Sequence, residues 1–309
     1  MEEKQKKESK LLWPDVKPDE PNEDLIIWLK IMGLAIFLFA SGIIINNQFN
    51  LLGNSSSTDE SSSDNLSTYV DESSSDSDCN VVGIELHGDV ITYIPASDFD
   101  TEGSLLYNET ASENVVYTIN EAEKDDNIKA ILLEIDSYGG SPVAGEEISD
   151  ALKSAKKPTV ALIRQAGDSA AYWSATGANI IFASKNSDVG GIGVTMSYLD
   201  AVEQNKKEGY TYNSLSSGKF KDTGSPDKPL TPEEVKLFMR DVNIIHQNFV
   251  KAVAENRKLD INKVEKMADG STMLGEAALQ NGLIDQIGGQ AEVNQYLKDK
   301  IGEEVEICW

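Results

Sequence analysis

Three hydropathy patterns follow one another along this chain. Residues 25–45 are apolar without periodicity, LIIWLKIMGLAIFLFASGIII, 21 positions with a single charge at Lys30. A helix of about 20 apolar residues matches the hydrocarbon core of a bilayer, so this run predicts a membrane span. Residues 53–78, GNSSSTDESSSDNLSTYVDESSSDSD, are almost free of apolar side chains. Such a stretch cannot bury enough surface to offset its ordering entropy and reads as a disordered stalk. From Val81 onward short apolar runs alternate with amphipathic stretches. VVGIEL (81–86), VITYI (90–94), AILLEI (130–135), TVALI (159–163) and NIIFA (179–183) predict strands. The run at 130–135 has the near-continuous apolar character of a strand buried on both faces. Helices are predicted over 113–123, over 141–156 with Val143, Ile148 and Leu152 on one side, and over 170–177. Further on come 231–258, opened by Thr231-Pro-Glu-Glu, and then 260–268, 275–281 and 290–300. Repeated strand–helix units argue for an α/β fold with a mostly parallel sheet.

Charge gives the apolar run a direction. Lys4, Lys6, Lys7, Lys10 and Lys17 precede it, and no Lys or Arg follows it until Lys124. The positive-inside rule then places residues 1–24 in the cytoplasm and the rest outside. A cleaved signal peptide fits less well: the run exceeds a typical apolar region and no A-x-A site follows. The expected organisation is a cytoplasmic tail (1–24), an uncleaved signal anchor (25–46), a Ser/Asp-rich linker (47–79), an exported domain (80–300) and a C-terminal tail (301–309). After residue 80 the chain holds 21 Lys and Arg against 37 Asp and Glu, which disfavours nucleic acid as a partner.

The two cysteines, Cys79 and Cys308, sit at the two ends of the expected domain. In an exported protein they either close the ends with a disulfide or remain two free thiols. Two Cys and two distant His do not make a metal site, and no cofactor is expected. The histidines, His87 and His246, fall at a strand end and within a long helix, where structural roles are expected. A Ser-His-Asp triad is therefore poorly supported, and a nucleophile would need another base. A lysine whose pKa is lowered by burial can serve.

Two strand ends carry chemistry. Asp136-Ser137-Tyr138-Gly139-Gly140-Ser141-Pro142 closes one strand and opens a helix. Paired glycines there let backbone N–H groups approach a ligand, as an oxyanion hole requires, although Gly-Gly is also a common turn. Gly167-Asp168-Ser169-Ala170-Ala171-Tyr172-Trp173 does the same after the next strand. Ser169 is there either a nucleophile, with the Ala170 N–H as an oxyanion donor, or a plain helix N-cap.

These segments in this order resemble the SppA family of signal peptide peptidases, membrane-anchored serine proteases with a Ser-Lys dyad. The resemblance covers roughly residues 81–297. It continues through Gly190-Gly-Ile-Gly-Val194, Ser217-Gly-Lys-Phe-Lys-Asp-Thr-Gly-Ser-Pro226, Ala268-Asp-Gly270 and the segment 275–285. It implies a Clp protease/crotonase-like β-β-α superhelix. It makes Ser169 the nucleophile and places the family's K-D-x-x-S-P lysine on Lys221, with Lys219 and Lys228 as competing bases. Gly140 and Ala170 would supply oxyanion donors, with Gly139 nearby. It also implies a homo-oligomer in which Lys221 reaches Ser169 of an adjacent subunit, acting on leftover signal peptides or other unfolded apolar segments.

The chain departs from the family pattern twice. Ser169-Ala170-Ala171 replaces Ser-Gly-Gly, and Gly191 stands where the family commonly has a serine that would orient the lysine; Thr195 or a water would have to substitute. The same residues suit a membrane protease that cuts a stomatin-like scaffold partner, or a ring that binds peptides without cutting them. A crotonase-type acyl-CoA enzyme is disfavoured, because CoA is cytoplasmic.

Overall fold

The alternation of apolar runs becomes a single sheet covered on both faces. The computed structural model describes residues 79–309; the expected tail 1–24, the expected span 25–46 and nearly all of the linker 47–79 lie outside the described residues. Among the described residues no helix is long and apolar enough to cross a membrane. In chain order the elements are β1 (Val81–Ile91), a 3-10 turn (Ala96–Asp98), β2 (Glu109–Ala111), α1 (Ser112–Lys124), β3 (Ala130–Gly140), α2 (Pro142–Ser154), β4 (Thr159–Asp168) and α3 (Ala170–Thr176). They continue with β5 (Ile180–Ala183), β6 (Asp188–Gly190), α4 (Val202–Lys207), α5 (Pro232–Arg257), α6 (Ile261–Glu265), β7 (Thr272–Leu274), α7 (Gly275–Asn281), β8 (Gln286–Ile287), α8 (Gln290–Ile301) and β9 (Ile307–Cys308).

The strands run in the order β2-β1-β3-β4-β5-β8, with β9 added beside β1 and β6 beside β4. Every pairing is parallel except β6 with β7. Side chains alternate across the pleat, so β3 feeds two cores. Ile131, Leu133 and Ile135 pack with Ile84 and Leu86 against Val115 and Ile119 of α1, Ile148 and Leu152 of α2, and Phe249 and Val253 of α5. Ala130 and Leu132 pack on the other face with Val160, Leu162 and Phe182 against Val293 and Leu297 of α8. Each such aliphatic side chain, fully buried, contributes about 1.5–3 kcal/mol relative to exposure.

The structure corrects the expectation of two strands at 81–86 and 90–94. They form the one strand β1, because both halves pair with β3; the register slips between His87 and Asp89, at Gly88. Gly88 holds φ 68, and a Cβ there would lie 1.9 Å from the Asn108 carbonyl oxygen, so only glycine allows this bulge. The segment 301–309, expected as a tail, includes β9, paired to the start of β1. Cys79 and Cys308 are joined by a disulfide, with their Cα atoms 5.8 Å apart. Beside it the Trp309 indole lies on Gly83, where a Cβ would come within 2.5 Å of the ring.

The long helix α5 begins as its sequence dictates. Thr231 Oγ1 accepts from the Glu234 N–H at 3.2 Å, and Glu234 Oε2 accepts from the Thr231 N–H at 2.8 Å. This reciprocal cap satisfies two donors that the first turn leaves open. Thr231→Ala is expected to lower stability by about 1 kcal/mol, read as a lower thermal midpoint.

Candidate active site

Ser169 occupies a strained turn between β4 and the short helix α3. Its backbone sits at φ 52, ψ −124, one of only two non-glycine residues with positive φ among the described residues. A conformation of this kind costs about 1–3 kcal/mol and persists only where its surroundings impose it. Here the Ser169 N–H donates to the Gly190 carbonyl at 2.8 Å, and the Ser169 carbonyl accepts from the Trp173 N–H at 2.9 Å. All of α3 is buried. Trp173 stacks on Phe249 with ring centroids 4.8 Å apart, and Tyr172 donates its hydroxyl to the Leu283 carbonyl at 2.8 Å. The helix is therefore a fixed part of the core, and the turn in front of it is fixed with it. The Ser169 side chain makes no capping hydrogen bond, which overturns the plain N-cap reading. Its hydroxyl is left available for chemistry.

The end of β3 lies against this turn. A Cβ at Gly139 would fall 2.7 Å from Ser169 Cβ and 3.0 Å from the Ala170 nitrogen. Gly139 also holds φ 113, which L side chains rarely adopt. The close approach of β3 to Ser169 thus requires glycine. Ser137 fixes the approach: its hydroxyl donates to the Gly88 carbonyl at 2.6 Å and accepts from the Gly139 N–H at 3.0 Å. Gly139 is consequently a close-approach residue and not a donor to a ligand, which refines its expected place in an oxyanion hole. The Ser141 N–H donates to the Val90 carbonyl at 2.7 Å. Because backbone directions alternate along a strand, the Gly140 N–H then points away from β1. Ala170 is the first residue of α3, so its N–H has no partner within the helix. Gly139→Ala is expected to displace Ser169 and to lower any hydrolytic rate by about 100-fold or more, in a protein whose circular dichroism is unchanged.

Asp168 and Gly191 flank Ser169 on the side of β6. Asp168 is buried, with one carboxylate oxygen, Oδ1, lacking any hydrogen-bond partner. Burial pushes its carboxyl up to about 6, and the like charge of Asp188 adds to the rise. Gly191 has φ 56, and a Cβ there would stand 3.2 Å from the Ser169 nitrogen and 3.3 Å from Asp168 Cβ. Thr195, expected to stand in for a missing hydroxyl, is exposed and shares a 2.9 Å hydrogen bond with Ser197.

The three candidate lysines differ in their partners. Lys219 pairs with Glu233 at 2.7 Å and lies over the Phe220 ring. Lys228 is held between Glu234 and Asp222, at 2.5 and 3.6 Å. Its bond to Glu234 pushes the Lys228 ammonium pKa up, the opposite of what a general base needs, and holds the Glu234 carboxyl down at about 2. Lys228 thereby ties the 222–228 turn to the start of α5. Lys221 is exposed, and among the described residues its ammonium takes part in no hydrogen bond or ion pair. The structure places Lys221 and Ser169 in no hydrogen bond with each other within one chain. The histidines are occupied elsewhere: His87 Nε2 lies 3.7 Å from Glu134, and His246 Nε2 bonds the Ala268 carbonyl at 2.9 Å.

Sequence reasoning passed over Ser137 and Asp168. Ser137 carried a usable signal, a hydroxyl two residues before a glycine at a strand end, where it can close a local turn. Asp168 carried none, because its burial is a product of β6 and the Gly191 turn.

Comparison with known proteins adds independent observations. Residues 151–304 match the model of Peptidase family S49. The chain is 37% identical over 182 residues to a putative protease of Methanocaldococcus jannaschii, covering 58% of each chain. It is 32% identical over 189 residues to a putative signal peptide peptidase SppA of Enterococcus faecium, covering 60% of this chain and 55% of that one. The chain therefore spans a little over half the length of these relatives. Among solved structures, a ClpP1 mutant of Listeria monocytogenes aligns with TM-score 0.43 and 15% identity, over 68% of this chain and 92% of that one.

Proposed function

For a chain whose residues 151–304 match Peptidase family S49, we propose a membrane-anchored serine endopeptidase of the SppA type. Its substrates are residual signal peptides or other unfolded apolar peptides outside the cytoplasmic membrane. The fold is of the Clp protease-like kind, and the active unit is a homo-oligomer.

The observation that carries this reading is the Ser169 turn: a strained, uncapped serine at the head of a buried helix, with glycine backbone pressed against it. In the proposed mechanism a neutral Lys221 from a neighbouring subunit takes the Ser169 hydroxyl proton as Oγ attacks a peptide carbonyl. The Gly140 and Ala170 N–H groups stabilise the oxyanion. The lysine returns the proton to the leaving amine, and a water activated by the same lysine then hydrolyses the acyl-enzyme.

Supply of the lysine in trans is supported by two features of the 195–244 region. Among the described residues the Lys221 ammonium has no partner, whereas Lys219 and Lys228 are ion-paired. The region also exposes much apolar surface: Leu199 is 90% and Leu215 100% exposed, with Tyr210, Phe220 and Met239 also out. Large exposed apolar side chains gathered in one stretch of the chain are what an interaction surface would cover. The anchor at 25–46 and the exported location rest on the apolar run and the lysine asymmetry.

A fluorophosphonate probe tests the proposal on the purified full chain. Mass spectrometry should find the label on Ser169. A protein that forms oligomers but takes no label and cuts no apolar peptide would instead be a peptide-binding ring.

A further inference from the structure

Asp168 immediately precedes Ser169 and is only 6% exposed. Its Oδ1 is buried without a hydrogen-bond partner. A buried carboxylate oxygen in that state costs stability unless a donor or a cation meets it. The elements around it supply neither. On β6, Asp188 is a second acid, and Thr272 of β7 donates to Asp188 at 3.5 Å. Gly191 contributes no side chain: a Cβ there would crowd the Ser169 nitrogen at 3.2 Å and Asp168 Cβ at 3.3 Å. On α3, Tyr172 donates its hydroxyl to Leu283. The charged group acting on Asp168 is thus Asp188, of like sign. Among the described residues no cation meets Asp168 and no anion pairs with the Lys221 ammonium.

We propose that Asp168 is a positioning residue that receives the ammonium of Lys221 of the partner subunit and holds it beside Ser169. This rests on the reading of Lys221 as a base supplied in trans. The arrangement has a chemical consequence. A carboxylate beside a lysine favours its charged form, so the base becomes neutral only at higher pH than it would alone. The dyad then works best in alkaline medium, and docking of the next subunit both completes the site and relieves the buried charge on Asp168.

Two measurements on the full chain test this contact. The first is the pH dependence of kcat/KM for the unchanged protein and for Asp168→Asn, which keeps the side-chain shape. Loss of the carboxylate should move the ascending limb down by about one pH unit or more, while the plateau falls about tenfold through kcat with KM little altered. A limb that stays where it was overturns the proposal, because a purely structural role would lower the plateau without moving the limb.

The second is a double-mutant cycle of thermal midpoints at pH 8, which needs no activity. Asp168→Asn should lower the midpoint of the unchanged oligomer, where it removes a paired charge. It should raise the midpoint of Lys221→Ala, where it removes an unpaired one. Equal shifts in both backgrounds overturn the contact. If Lys221→Ala keeps full activity, the dyad reading fails, and the cycle still decides whether Asp168 and Lys221 meet.

Discussion

Ser169→Ala is expected to lower kcat by a factor on the order of 10^4 to 10^6, with the oligomer intact. Losses of that size follow removal of the nucleophile from a hydrolytic unit whose members act together. The substitution removes only Oγ, which makes no capping bond, so stability should hardly change. Lys221→Ala should be comparably inactive. Neither Lys219 nor Lys228 can replace it, since each is held in an ion pair. The informative experiment mixes the two dead proteins after dissociating and reassembling them. A site needs Ser169 from one subunit and Lys221 from the next, so random pairing restores about a quarter of the unchanged activity. Recovery near zero in assemblies proven to be mixed would place both members of the dyad in one chain.

Reducing the Cys79–Cys308 bond is expected to have the largest effect on stability. The bridge spans 229 residues and so constrains nearly the whole domain in its unfolded state. Loops of this length gain about 2–5 kcal/mol from closure, which for a domain of this size corresponds to a fall of about 5 to 20 °C in the thermal midpoint. The bridge also pins β9 to the first residues of β1, where Asn80 and Glu306 exchange hydrogen bonds at 3.0 Å. Reduction should therefore release the C-terminal strand and Trp309 first, and Trp309 fluorescence should change before the global transition. A midpoint indifferent to reductant, and to Cys79→Ser with Cys308→Ser, would contradict this account. Such a bond persists in an oxidising compartment, which the proposed exported location would provide.

The architecture was legible in the chain because its signals are local. The apolar run at 130–135 reads as a strand buried on both faces, and in the structure it feeds cores above and below the sheet. Thr231-Pro-Glu-Glu reads as a helix start, and it is a reciprocal cap. Short pairings were not legible. The strands β6 to β9 have two or three residues each, too few to carry a period, and exist only because a longer strand or a partner edge is already in place.

The candidate site divides along the same line. Ser169, the paired glycines and three candidate lysines could be picked out from residue type and position, since a nucleophile, close-approach glycines and a base are chemical necessities written in the side chains. Which lysine is free was decided by Glu233, Glu234 and Asp222, acids brought up by the packing of α5 and its preceding turn. That Ser169 is strained and uncapped was decided by the Gly190 carbonyl and by the burial of α3. That Asp168 is buried with one unpartnered carboxylate oxygen was decided by β6 and the tight turn at Gly191 packed against it. Partner choice, strain and desolvation are properties of what surrounds a residue. The sequence names the groups, and only the tertiary contacts determine which of them are already satisfied.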